Sequence, residues 1–217
     1  MYSYFAWIIA AVCAYFLGNI NPAILIGKAK GIDIRAQGSG NAGATNAMRS
    51  LGKKEGALVF GIDVVKGWAG YFVPSLIIVR IIGGDTTAYF SAMLCGLCVV
   101  LGHMYPAIFG FKGGKGVATT FGVLLAASWQ YALILFGIVI VFTLIFKRVS
   151  LSVMIAVAAA VILFILGIPS NAILMSPLWT MLILALVVWK HRGNIKRLVK
   201  GEEPPLDLSF LSRRKSK

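Results

Sequence analysis

Long apolar runs alternate with short polar connectors along the chain. The runs lie at 4–26, 56–81, 88–102, 117–146, 151–168 and 173–189. A helix that crosses a bilayer needs about 20 mostly apolar residues, and these runs, with few interior charges, fit that pattern better than the one-sided pattern of a soluble helix. The fourth run stands apart. At 1.5 Å per residue, 117–146 would extend about 45 Å against a hydrocarbon core of about 30 Å, yet either half alone is short for a crossing. Its direction decides which side receives Lys147, Arg148 and all that follows. A break near Ser128-Trp129-Gln130 places Lys28, Lys30, Arg35, Arg49, Lys53, Lys54, Lys112, Lys115, Lys147, Arg148 and the cluster from Lys190 to Lys217 on one face, with only Arg80 at the other. An unbroken crossing would send the basic tail to the side opposite the first two basic loops. Because Lys and Arg gather on the cytoplasmic side, the break is favoured. The prediction is an all-α polytopic integral membrane protein with seven transmembrane helices, two of them short, its N-terminus outside and its C-terminus in the cytoplasm.

Composition agrees with a bilayer as solvent: of 217 residues, 59% are hydrophobic and 13% charged, against roughly 45–50% and about 25% in soluble domains. The first run lacks a basic leader and a small-residue cleavage site, so it reads as a retained span. We expect one membrane-embedded domain over 1–200 and a mobile basic cytoplasmic tail over 201–217, where "GEEPPLDLSFLSRRKSK" combines paired prolines with dense charge. The net charge of +14 comes from 21 Lys and Arg against 7 Asp and Glu. In a membrane protein this excess attracts anionic membrane lipids. Without a recognisable binding fold or aromatic-basic interleaving, it implies no nucleic acid partner. Cys13, Cys95 and Cys98 lie in apolar runs and read as packing residues. Cys95 and Cys98 form a C-x-x-C, but no second pair or nearby His supports a metal site.

Candidate chemistry sits in the connectors. "GSGNAGATN", residues 38–46, matches G-x-G-x-x-G through Gly38, Gly40 and Gly43. A dinucleotide fingerprint also needs a preceding strand and an acidic residue about 20 positions on; Asp63 has the distance but lies inside an apolar run, which excludes that reading. What remains is a loop whose glycines allow tight turns and close approach to a ligand, with Ser39, Asn41, Thr45 and Asn46 adding small polar groups. Arg49, one helical turn after Thr45, offers a guanidinium fork for phosphate. A solvated connector with ordinary helix caps is the plainer alternative.

A second loop, "GHMYPAIFGFKGGKGVATT" over 102–120, lacks P-loop spacing although Gly113, Gly114, Lys115 and Gly116 look similar. Lys112 and Lys115 supply cations, Thr119 and Thr120 open the next helix, and the bulky "MYPAIFGF" suggests a re-entrant element. His103 fits a general base, a phosphate ligand or an interfacial histidine. The third element, "WKHRGNIKRL" over 189–198, places His191 and Asn194 on one helical face if the helix continues through Gly193. Asp63 and Lys66 interrupt the second apolar run three residues apart, as a structural clamp or as a supporting part of a site.

Together, "GSGNAGATNAMR" (Gly38 to Arg49), "DVVKG" (Asp63 to Gly67), "GHMYPAIFGFKGGKGVAT" (Gly102 to Thr119) and "HRGNIKRL" (His191 to Leu198) resemble the motifs of the bacterial PlsY family, the acyl-phosphate:glycerol-3-phosphate acyltransferases. Gly193 departs from the pattern, standing where a longer polar or acidic residue is expected. The resemblance implies transfer of a fatty acyl group from acyl phosphate to the 1-hydroxyl of glycerol 3-phosphate, giving lysophosphatidic acid and phosphate at the bacterial inner membrane. It implies seven spans with cytoplasmic catalytic loops and neither metal nor organic cofactor. Ser39, His103 and His191 would be catalytic. Phosphate and substrate contacts would fall to the first loop (Gly38, Gly40, Asn41, Gly43, Thr45, Asn46, Arg49), the second (Lys112, Gly113, Gly114, Lys115) and Asn194. A substrate phosphate could itself take the hydroxyl proton, and His103 or His191 as general base stays open. An anion transporter built on discontinuous helices would show an inverted repeat, which the sequence lacks. A phosphoryl-transfer enzyme would show a carboxylate cluster for magnesium, which is also lacking.

Overall fold

The computed structural model describes residues 2–82, 85–168 and 177–206, and all regular secondary structure among them is helical. The Arg80 side chain, expected alone at the opposite face, and the tail from 207 onward lie outside the described residues. In order, the helices are α1 (Tyr2–Asn19), α2 (Pro22–Ala29), α3 (Ala44–Ser50), α4 (Lys53–Ile82), α5 (Asp85–Met104), α6 (Val117–Ala127), α7 (Trp129–Phe146), α8 (Val149–Ile165), α9 (Pro177–Lys190) and α10 (Arg192–Val199). Single 3-10 turns occupy Ile34–Ala36 and Ala107–Phe109.

The apolar run 117–146 breaks as predicted. Ser128 is extended, with φ −158° and ψ 93°, and separates α6 from α7. The run 4–26, expected to be continuous, breaks too. Pro22 has no N–H to continue a helix but suits the first position of a new one, and Asn21 caps α2 by accepting from Ile24 N at 3.0 Å. Among the described residues, four stretches are long and apolar enough to cross a membrane: Phe5–Ala29, Lys53–Pro74, Phe90–Phe109 and Trp129–Phe146. Val117–Ala127, Val149–Ile165 and Leu178–Lys190 are shorter apolar helices. Much of α7 turns Ile140, Val141, Leu144 and Ile145 outward, as an integral membrane protein in hydrocarbon requires.

Two glycine crossings set the geometry around the site. A methyl group at Gly18 would lie 2.2 Å from Val99 O, and one at Gly102 would lie 2.0 Å from Tyr15 O, so α1 and α5 touch backbone to backbone. Gly67 and Gly122 do the same for α4 and α6, facing Thr119 O at 2.2 Å and Val64 O at 2.0 Å. Small residues permit such approach, and dispersion contacts along the crossing replace the hydrophobic drive that lipid does not supply. The crossings gather the end of α1, the middle of α4, the end of α5 and the start of α6 at one place.

The polar connectors also meet at one end of the bundle. Arg35 donates to Phe109 O at 3.3 Å, Lys28 lies 5.4 Å from the centre of the Phe109 ring, and Leu206 N donates to Lys147 O at 2.6 Å. Within the stretch expected to be re-entrant, Ala107–Phe109 forms a 3-10 turn, with Ile108 and Phe111 exposed at its tip.

Candidate active site

The first loop is built around Asn46. Its Oδ1 accepts from Ser39 N at 2.9 Å, and its Nδ2 donates to Ile34 O and Gln37 O, both at 3.0 Å. This buried amide therefore holds the loop's shape and also lines the cavity described below. Gly38 (φ 53°) and Gly40 (φ 70°) take left-handed conformations on either side of Ser39, and a methyl group at Gly38 would lie 2.4 Å from Asn46 Oδ1. Asn21 ties the far side of the loop to α2 by donating to Ala42 O at 3.2 Å. Ser39 is left exposed, with its own N–H already engaged.

Asp63 and Lys66 form the expected i, i+3 pair, and His103 joins them from α5. Asp63 Oδ1 lies 2.8 Å from Lys66 Nζ and 3.2 Å from His103 Nδ1. The Lys66 contact is an ion pair, and both contacts lie off good hydrogen-bond directions at Asp63 Oδ1. Lys66 Nζ lies 2.9 Å from His103 Nδ1 and donates to Gly18 O and Ile20 O at 3.2 and 2.6 Å, so it also closes the open carbonyl end of α1. All three side chains are buried. The adjoining glycines pack on the histidine: Gly114 N donates to His103 O at 3.1 Å, and methyl groups at Gly113 and Gly114 would lie 2.1 Å from His103 O and Nε2. These two glycines, expected to contact substrate, here allow close approach to His103.

The third group comes from the C-terminal segments. Lys115 Nζ donates to Asn194 Oδ1 at 2.5 Å, and Asn194 Nδ2 donates to Glu203 Oε1 at 2.6 Å. Ser150 Oγ and Arg197 Nε also donate to Glu203, at 2.7 and 2.8 Å. Arg148 Nε donates to Glu203 O at 3.1 Å, while Arg49 donates to Pro204 O and Pro205 O at 3.0 and 3.2 Å. The tail expected to be mobile from 201 is thus seated over 203–206, because a lone carboxylate among so many donors is strongly held.

These elements enclose one cavity of about 240 Å³. Its polar end is lined by Ser39, Arg49, Lys115, His191, Asn194 and Glu203, with Asn41, Thr45, Asp63 and His103 beside them. Its other end is hydrocarbon: Leu124, Leu135, Val153, Ala160 and Leu184, with Phe60, Phe121 and Phe136 stacked at centroid distances of 4.6 to 6.3 Å. Lys112 is exposed and does not line the cavity; Gly43 and Asn46 do, while Gly38, Gly40, Gly113 and Gly114 shape its loops from outside.

Electrostatics differentiates the polar groups. Burial, opposed by the Glu203 carboxylate and reinforced by the charges of Arg197, Arg49 and Lys190, brings Lys115 down to about 8. Burial and then the Lys115 charge bring His191 down to about 4, so its ring is neutral at pH 7. His191 Nδ1 lies 2.8 Å from Val187 O. A carbonyl only accepts, so Nδ1 carries the proton and Nε2 keeps a lone pair. Burial pushes the Glu203 carboxyl up, but hydrogen bonds from Ser150, Asn194 and Arg197 outweigh it and hold the group below the usual carboxylate range.

Sequence reasoning did not find Glu203, Ser150 or the three phenylalanines. Glu203 carried a usable signal, being one of only 7 acidic residues in a strongly basic chain. The phenylalanines carried none, since an aromatic in an apolar run reads as packing or lipid contact.

The family model for glycerol-3-phosphate acyltransferases matches residues 8–201. A glycerol-3-phosphate acyltransferase of Aquifex aeolicus is 46% identical over 193 residues, covering 88% of this chain and 95% of that one. One of Clostridioides difficile is 42% identical over 200 residues, covering 92% and 95%. The crystal structure of PlsY, an integral membrane glycerol 3-phosphate acyltransferase, in its glycerol 3-phosphate form superposes with a TM-score of 0.79 at 43% identity, covering 94% of this chain and 98% of that one. Its lysophosphatidic acid form gives 0.76 at 42% identity, covering 96% and 99%.

Proposed function

The chain belongs to the glycerol-3-phosphate acyltransferase family, and from that premise we propose that it takes the acyl group from an acyl phosphate and places it on the 1-hydroxyl of glycerol 3-phosphate, releasing lysophosphatidic acid and inorganic phosphate. The observation that carries this reading is the two-ended cavity. Arg49 and Lys115 lie at one end and hydrocarbon side chains at the other. An acyl phosphate has the same division, a charged head on a fatty chain. Glycerol 3-phosphate needs only the polar end. The solved relatives in their glycerol 3-phosphate and lysophosphatidic acid forms support the same substrate and product.

In the proposed reaction Arg49 and Lys115 hold the substrate phosphates, the first by a planar fork and the second as a point charge. Ser39, exposed on its glycine-flanked turn, orients a substrate oxygen, with Asn41 and Thr45 beside it. His191 Nε2, with its free lone pair, accepts from the acceptor's other hydroxyl, leaving the proton of the attacking one to phosphate, and Asn194 holds Lys115 in place. His103, backed by Asp63 and Lys66, forms the inner wall. The 1-hydroxyl oxygen bonds to the acyl carbon, the carbon–oxygen bond to phosphate breaks, and the departing phosphate takes the hydroxyl proton. Acyl phosphate is already activated, so positioning and charge stabilisation carry the step without a metal, cofactor or acyl-enzyme.

We also propose seven crossings with the N-terminus outside and all three polar loops in the cytoplasm of a bacterium, at its inner membrane. The shared end of the basic connectors supports this arrangement. The test of function is phosphate release from acyl phosphate by the purified protein. Release that depends on glycerol 3-phosphate and matches lysophosphatidic acid formed is the expected result; release without the acceptor, or none with it, overturns the reading.

A further inference from the structure

We propose that Thr120 is a further catalytic residue, its hydroxyl donating to the acyl carbonyl oxygen as that oxygen takes on negative charge. This rests on the acyl-phosphate reading above. Thr120 lines the cavity and is 7% exposed. Among the described residues its Oγ1 has no hydrogen-bond partner. A threonine within a helix ordinarily bonds back to the carbonyl four residues earlier. Here Gly116 O takes the Thr120 backbone N–H at 2.7 Å, and the hydroxyl makes no such bond. A buried hydroxyl without a partner is unfavourable, and sites of ligand contact are where such groups are tolerated.

Its position along α6 gives the chemistry. Lys115 and Gly116, about one turn earlier, line the polar end, while Phe121, the next residue, and Leu124, one turn on, line the hydrocarbon end. Thr120 stands where the two meet. In an acyl phosphate the carbonyl carbon is the atom that joins the charged head to the fatty chain, so a donor seated with both ends in place puts its carbonyl at this junction. As the glycerol oxygen bonds to that carbon, the carbonyl pair moves onto oxygen and Thr120 Oγ1 donates to it. The pair then returns, the bond to phosphate breaks, and phosphate leaves with the hydroxyl proton. A donor placed where charge develops acts on the transition state more than on the bound substrate.

Thr119 supplies an internal control. It is also fully buried, and its Oγ1 is also without a partner among the described residues, but it does not line the cavity. Thr120→Val keeps the branched shape and removes only an unpaired hydroxyl, so the melting temperature should not fall. We expect its kcat with acyl phosphate and glycerol 3-phosphate to drop about 100-fold, the loss typical of one oxyanion donor, with both KM values within about threefold of wild type. Thr120→Ser should recover most of kcat, and Thr119→Val should match wild type. Wild-type kcat in Thr120→Val, a rise in KM alone, a serine variant as defective as the valine, or an equal loss in Thr119→Val would each overturn the assignment. Failure of the wild-type protein itself to use acyl phosphate would remove the donor reading and this inference together, an outcome separate from any difference between variants.

Discussion

Lys115 and Asn194, 79 positions apart, meet at 2.5 Å through the ammonium and the amide oxygen, and the other end of the same amide donates to Glu203. A loop before α6, a turn of α10 and the segment after α10 are thereby joined through one side chain. Lys115 carries its charge into a cavity wall that is largely desolvated, and the relay through Asn194 to the Glu203 carboxylate offsets part of that cost.

The Lys115 relationship predicts a pH dependence. With its pKa brought down to about 8, Lys115 is charged below that pH and neutral above it. The kcat/KM for a phosphate substrate reports the free enzyme and should therefore fall as pH rises through about 8. Lys115→Ala should lose this alkaline limb and, through one charge-assisted contact of about 1.5–3 kcal/mol, about 10- to 150-fold in kcat/KM at pH 7. Steady-state kinetics from pH 6 to 10 checks both. An unchanged limb in the alanine variant would assign the ionisation to another group.

Glu203 should act on stability and on that same ionisation. Glu203→Ala leaves Ser150, Asn194 and Arg197 without their acceptor, at a cost of about 1–3 kcal/mol for the buried groups. The melting temperature in detergent should drop. Because the carboxylate raises the Lys115 pKa, its removal should also move the alkaline limb to lower pH. Glu203→Gln should keep part of the stability while showing the same shift of the limb. A limb that stays in place would separate Glu203 from Lys115.

What the sequence made legible follows physical range. Apolar runs locate the helices because hydrocarbon demands them, and the break at Ser128 emerged from length against charge. The break at Asn21-Pro22 was missed because apolar residues continue through Ile24, Leu25 and Ile26 and mask it. Asp63 and Lys66 were legible as a pair by helical spacing, but His103 is 40 positions beyond Asp63 and joins them through the packing of α5 on α4, where Gly70 meets the Val99 side chain. Glycines announced close approach without saying to what, and at Gly114 the partner is the His103 ring. Asn46 was legible as a polar loop residue, but its three loop contacts depend on a fold the spacing does not encode.

The buried cluster of Asp63, Lys66 and His103 should show the behaviour of a paired charge. Removing one partner leaves the other buried and uncompensated, typically about 3–5 kcal/mol of destabilisation, while replacing both with apolar residues of similar size is far less harmful. Asp63→Leu and Lys66→Met should each reduce the yield of folded protein and its melting temperature. The double variant should recover much of the loss. Strictly additive losses, measured by thermal unfolding in detergent, would show that the two side chains do not stabilise each other.

Ser39 is where direct transfer and covalent catalysis separate. A serine flanked by left-handed glycines and exposed at a cavity mouth has the accessibility of a nucleophile. A serine nucleophile also needs a base on its hydroxyl and a group that orients the base. Among the described residues no histidine or carboxylate is hydrogen-bonded to Ser39 Oγ, His103 Nδ1 faces Lys66 and Asp63, and His191 Nδ1 faces Val187 O. The expected result is therefore no acylated protein when acyl phosphate is supplied without glycerol 3-phosphate, as read by intact-protein mass spectrometry. Ser39→Ala should reduce kcat/KM through loss of an orienting hydrogen bond, about 5- to 10-fold for a neutral contact, and should leave turnover measurable. An acyl adduct on Ser39 that forms and decays at the rate of turnover, together with a Ser39→Ala variant lacking all activity, would establish a covalent route and require His103 or His191 to swing onto Ser39 Oγ during the reaction.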